Sequence, residues 1–86
     1  MAMHQTHPDI IPRLKRAEGH LRAVIAMIED GKPCVDLAQQ LHAVEAAVAK
    51  AKKELIHDHI EHCLEVGQGV DVKTAIRELK QLSKYL

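Results

Sequence analysis

The 86-residue chain predicts an all-α fold of three helices. Three observations point there. Apolar residues recur at three- and four-residue spacing, the phase of one helix face. No segment alternates apolar and polar residues as a half-buried strand would. Gly and Pro are few and clustered, at four and three residues. The length allows one small domain, residues 1–86.

The first helix is expected to begin near Pro8-Asp9, where proline suits the first turn. Residues 1–7 ahead of it are expected to be disordered. Leu14, Ala17, Leu21, Val24 and Ile28 mark its apolar stripe. It stops at Asp30-Gly31, and Pro33 restarts the chain. The second helix runs from about Pro33 to Val66. Its apolar residues Leu37, Leu41, Val44, Val48, Ala51 and Leu55 alternate spacings of four and three, which is a heptad seam. Gly67-Gln68-Gly69 ends it. The third helix starts after Asp71, a plausible N-cap, and carries Val72, Ala75, Ile76, Leu79 and Leu82 on one face. There are no internal repeats or low-complexity tracts.

The second helix is long for the chain. At ~1.5 Å per residue it spans about 50 Å, whereas a compact chain of this size has a radius of gyration near ~12 Å. It must overhang what the flanking helices can cover, so its apolar surface needs a partner. A homodimer of helical hairpins forming an antiparallel four-helix bundle is the simplest solution, with the third helix covering the dimer or pairing dimers into a tetramer.

Composition removes several function classes. The chain has no Phe or Trp and one tyrosine, Tyr85, which argues against modules that stack nucleic-acid bases on exposed rings. No run approaches the ~18 apolar residues of a membrane span. Met1-Ala2-Met3-His4-Gln5 lacks the basic and apolar regions of a signal peptide. A cytoplasmic protein is expected, with reduced thiols. There is no nucleophile elbow, phosphate loop or HExxH pair, so an enzyme is not expected. Twelve basic residues balance twelve acidic ones, but they are segregated. Arg13, Lys15, Arg16 and Arg22 mark the first helix, and Lys50, Lys52 and Lys53 form a second cluster. Residues 57–71 carry Asp58, Glu61, Glu65 and Asp71 and no Lys or Arg. An isolated cluster of this kind is as often an ordinary solvated helix face as a binding surface.

The residues that carry chemistry are two cysteines and one histidine. His59 and Cys63 stand at i and i+4, on one helix face. Two ligands rarely hold a metal selectively, and Cys34 is the only other thiol. Taken alone, Cys34 would more often be a small buried residue, and His59 a surface histidine. Together they make a set of two thiolates and one imidazole, which suits Cu(I). Along one straight helix, 25 residues separate Cys34 from His59, or about 37 Å. They cannot share an ion within one protomer. Antiparallel packing of two second helices would bring Cys34 of one chain to His59 and Cys63 of the other.

These features resemble the copper-sensing branch of the CsoR/RcnR family of bacterial metal-responsive repressors. The likeness lies in Arg16-Ala17-Glu18-Gly19-His20-Leu21, in Cys34-Val35-Asp36, in Gln40-Leu41-His42-Ala43-Val44 and in the run Leu55-Ile56-His57-Asp58-His59-Ile60-Glu61-His62-Cys63. The Cys, His and Cys spacings of 25 and 4 match the copper-sensor pattern. The resemblance implies a helical dimer that pairs into tetramers. It implies a repressor whose metal-free form holds double-stranded operator DNA and whose metal-bound form releases it. By position, Cys34, His59 and Cys63 would hold Cu(I), and Glu78 matches a glutamate that couples the ligand histidine to the DNA-binding surface. Arg13, Lys50 and Lys53 match basic positions implicated in DNA binding. Pro33 stands where a copper sensor can carry a tyrosine, and Glu45 where nickel- and formaldehyde-sensing relatives carry arginine.

Several alternatives stay open. A persulfide sensor would bridge Cys34 and Cys63 through sulfur, leaving His59 superfluous. A formaldehyde sensor would join Cys34 to the N-terminal amine of Ala2, leaving Cys63 unnecessary. Nickel- and cobalt-sensing relatives recruit N-terminal nitrogen ligands, so His4 and His7 keep a Ni or Co reading alive, and Zn is also compatible with this set. His57 and His62 are expected to face solvent or flank the site, with His62 a possible extra ligand. His20 is expected to be structural and Gln40 interfacial. A copper- or zinc-buffering protein without a DNA target is the alternative of another class, and the paired basic clusters argue against it. The fold has no helix-turn-helix, so recognition is expected to lean on phosphate contacts and DNA shape.

Overall fold

A computed structural model describes the backbone of residues 7–66 and 72–86, and the side chains of residues 9–61 and 72–86. Three helices follow in order: α1 (His7–Glu29), α2 (Cys34–Val66) and α3 (Val72–Ser83). No strand occurs among the described residues. Helix α1 thus begins at His7, the last residue of the segment expected to be disordered. It continues through Pro12, a residue the periodicity argument passed over. Pro12 lies in the second turn and is exposed, so it removes one backbone bond near the helix start without a buried polar group. The Gly67-Gln68-Gly69 stop and the Asp71 cap lie outside the described residues, as do residues 1–6 and the side chains of His62 and Cys63.

The turn between α1 and α2 is built by its residue types. Gly31 has φ +74°, the left-handed region that glycine enters without penalty. Its amide donates to the Ile28 carbonyl at 3.0 Å, and the Lys32 amide donates to the Met27 carbonyl at 3.1 Å. Those two bonds are the Schellman pattern that satisfies the last carbonyls of a helix. The Pro33 carbonyl then accepts the Leu37 amide at 3.1 Å, the first bond of α2. Cys34 is therefore the first helical residue. Replacing Gly31 by alanine meets no atom within 4 Å, so the cost is conformational alone. A loss of about 1–2 kcal/mol is expected, measurable by denaturant unfolding, with asparagine milder.

Helix α1 packs antiparallel along α2, and α3 meets α2 through few residues. The buried residues are few and aliphatic: Ile10, Ala17 and Val24 on α1, and Val44, Ala51 and Ile56 on α2. Most of them recur at intervals of seven, Ile10-Ala17-Val24 and Val44-Ala51, with Ile56 five residues further on, so one row per helix faces the other.

This corrects the expected stripes. Leu14, Leu21 and Ile28 are not in the core but exposed, and Ile10 takes a place the periodicity did not assign. The heptad seam of α2 also divides. Val44 and Ala51 are buried against α1, while Leu41, Val48 and Leu55 stay 43%, 45% and 38% exposed. A 3.6-residue period shows that a face is apolar but not which edge of that face a single neighbour covers. The molecule is elongated, 54 × 23 × 16 Å with a radius of gyration of 17.4 Å, against ~12 Å for a compact chain of this length.

Candidate functional site

Cys34, His59 and Cys63 lie on one unbroken helix. Cys34 occupies its first position and is exposed. His59 and Cys63 lie near its other end, about 37 Å or more away at helical rise. The structure therefore keeps Cys34 apart from the other two within a chain. The backbone at 59 and 63 is helical, which gives both residues the same face at i and i+4.

His59 is partly buried, and its Nε2–H donates to Glu78 Oε2 of α3 at 2.9 Å. A carboxylate only accepts, so in this bond the ring carries a proton on Nε2. That is the arrangement in which a histidine ligates a metal through one nitrogen while a carboxylate orients the other. The imidazole thereby joins α2 to α3. The pair opens into a cleft of about 510 Å³ that Gln81, Leu82, Lys84 and Tyr85 also line. Gln81 and Tyr85 were not singled out in the sequence. Tyr85 follows α3, where no periodicity reaches.

The basic residues are distributed unevenly. Arg13 and Lys50 line a groove of about 220 Å³ between α1 and α2, together with Arg16, His20, Ala17 and Ala47. Lys53 is exposed one turn along α2. Arg13 Nη1 donates to Glu54 Oε1 at 3.1 Å, and both side chains stay about two-fifths exposed. Such a pair is worth little in solvent, so Arg13 can exchange it for another anion. His20 Nε2–H donates to Gln40 Oε1 at 2.6 Å and ties α1 to α2, which fits the structural reading of His20 and the interfacial reading of Gln40. Arg16 and Glu54 were not assigned to this surface in the sequence. The spacing Arg13, Arg16, His20 places all three on one helix face, and that was the available signal.

Among the described residues, no group of three or more His, Cys, Asp or Glu side chains within one chain is placed to hold a metal ion. His4 and the side chains of His7 and His62 lie outside the described residues. Glu45 is exposed on α2.

Residues 6–86 match the family described as metal-sensitive transcriptional repressor, and the chain belongs to that family. It is 38% identical over 77 residues to the copper-sensing transcriptional repressor CsoR of Mycobacterium ulcerans, covering 85% of this chain and 63% of the relative. It is also 38% identical over 77 residues to the copper-sensing transcriptional repressor CsoR of Bacillus subtilis, covering 88% of this chain and 76% of the relative. The chain thus spans just under two thirds of the mycobacterial relative's length. The fold is similar to that of the nickel-responsive transcriptional regulator InrS, with a TM-score of 0.82, 26% identity, and 100% and 99% of the two chains covered. These relatives are regulators rather than enzymes. No helix among the described residues is long and apolar enough to cross a membrane.

Proposed function

We propose that the chain is a cytoplasmic DNA-binding repressor that holds its operator in the metal-free state and is released by Cu(I), derepressing copper efflux or homeostasis genes. The observation that carries this is the donor set on α2. Two thiols and an imidazole are the soft ligands that favour Cu(I), and the imidazole already leans on Glu78 through its other nitrogen. Cys34, His59 and Cys63 would hold the ion, with Nδ1 as the histidine donor. The names of relatives that are 38% identical support copper over other metals.

The working unit in this reading is an antiparallel dimer of hairpins that pairs into a tetramer. The separation of Cys34 from His59 on one helix requires a second copy to complete the site. Exposed Leu41, Val48 and Leu55 follow Cys34 at intervals of seven. A partner helix covering that row would run along Cys34 as well. Ile11, Leu14, Leu21, Ile25 and Ile28 leave a second exposed apolar row on α1.

A nickel-responsive reading has one observation in its favour, the fold of InrS. His4, His7 or His62 would then add nitrogen donors. Anaerobic titration with Cu(I), Ni(II) and Zn(II), following release from promoter DNA, separates the two readings. Release by Ni(II) but not by Cu(I) overturns the copper assignment.

Operator binding is assigned to Arg13, Lys50 and Lys53, through phosphates. Each replacement by alanine should weaken binding and lower the salt slope by about 0.9 per lost contact. Fluorescence anisotropy over a salt series measures this. Unchanged affinity and slope in all three variants would leave the repressor without this surface.

A further inference from the structure

Helix α3 carries a feature that neither the metal site nor the α1–α2 groove uses. Lys73, Arg77 and Lys80 follow one another at i, i+4 and i+7. At 3.6 residues per turn these three positions fall within an arc of about 60°. All three are exposed, and with Ile76 they line a surface depression of about 300 Å³. The half-buried residues Ala75, Leu79 and Leu82, which hold α3 against the rest of the molecule, lie on the opposite side of the helix. The stripe therefore points away from the core. Residues 72–86 hold one acidic side chain, Glu78, and that carboxylate is bonded to His59. The side chains of the segment therefore sum to a net positive charge, four cations against one carboxylate.

We infer that this stripe is a second phosphate-binding surface for duplex DNA. The inference rests on the repressor reading above and names a part of the DNA footprint that reading lacks. From residue 73 to residue 80 the stripe is about 10 Å long, which matches the axial rise of about three phosphates on one strand. An anionic membrane surface is the other polyanion such a helix could meet. It is less favoured because a membrane-bound helix must free its apolar face, and half of that face already packs in the fold.

The test uses the full chain with Lys73→Gln, Arg77→Gln and Lys80→Gln combined. Binding is read by anisotropy on a 40-base-pair random duplex and on DNA upstream of its own gene, over a salt series. The triple variant should lose about 2–3 from the slope of log affinity against log salt, at about 0.9 per contact. The charge-keeping variant Lys73→Arg, Arg77→Lys, Lys80→Arg should restore it. Circular dichroism and light scattering check that helicity and assembly persist. If the triple variant does not fold, each single replacement should lower the slope by about 0.9. An unchanged slope, while an Arg13, Lys50 and Lys53 triple alanine variant lowers it, overturns the inference and leaves the repressor reading standing. Wild-type protein that binds neither DNA overturns both. Loss of binding to phosphatidylserine vesicles with DNA binding intact would assign the stripe to a membrane and overturn the inference.

Discussion

Cys34→Ala protein should fail to respond to Cu(I), although its other two ligands lie about 37 Å away and are untouched. Loss of a residue that merely orients a ligand typically costs about 10–100-fold in metal affinity. Loss of one of two thiolates should exceed that range. Cys63→Ala should behave alike. The decisive measurement is their mixture. If the site is shared by antiparallel subunits, a heterodimer of the two variants keeps one complete set of Cys34, His59 and Cys63 and discards both defects in the other. Subunit exchange followed by Cu(I) titration should then restore tight sites, approaching one per heterodimer. Tight binding that never returns after exchange would argue against a shared site. X-ray absorption with only nitrogen or oxygen donors would remove the sulfur ligands altogether. Because Cys34 is exposed at the first position of α2, its replacement disturbs little packing, and a failure to fold is not the expected outcome.

His59→Ala should separate binding from response. The two thiolates should retain Cu(I) without the imidazole, since thiolate is the softer ligand. The alanine variant nevertheless has no group to reach Glu78 Oε2, the contact that ties α2 to α3 at 2.9 Å. It should therefore load with Cu(I) and remain on promoter DNA. A coupling of about 1–3 kcal/mol, or about 5–150-fold in DNA affinity between metal-free and metal-loaded protein, is expected for wild type. The variant should approach a ratio of one. Release by Cu(I) as ready as wild type's would refute the coupling role. Glu78→Gln should show a partial version, because an amide oxygen still accepts from Nε2–H but carries no charge. Pro33, at the turn before Cys34, supplies no hydroxyl to this contact, so Glu78 is the partner to which the coupling is assigned.

Much of this was legible in the amino-acid order. The hairpin turn follows from Gly31 and Pro33, the one residue that enters the left-handed region freely and one that lacks an amide to donate. The length of α2 and the impossibility of a one-chain site follow from an apolar period that runs unbroken from Leu37 to Leu55. Pro12 was less legible, because a proline near a helix start can either begin a helix or lie within its second turn. Ile10 in place of Leu14 was not legible at all. Both are apolar and both lie at helical spacing from Ala17, at seven and three residues. Only the position of the neighbouring helix decides which is covered.

The sequence by itself determined the three helices and the turn at Gly31 that ends α1, since these depend on neighbours within a turn or two of the chain. The tertiary structure alone decided which rows of each apolar face are spent inside the hairpin and which are left outward: Val44 and Ala51 inside, Leu41, Val48 and Leu55 outside. It also decided that Arg13 meets Glu54 across 41 residues, and that His59 meets Glu78 across 19. Helical phase is a local property, repeated every 3.6 residues. Contacts between helices depend on the angle and offset at which two cylinders settle, and small side chains such as Ala17 and Ala51 set that through packing that no single segment contains.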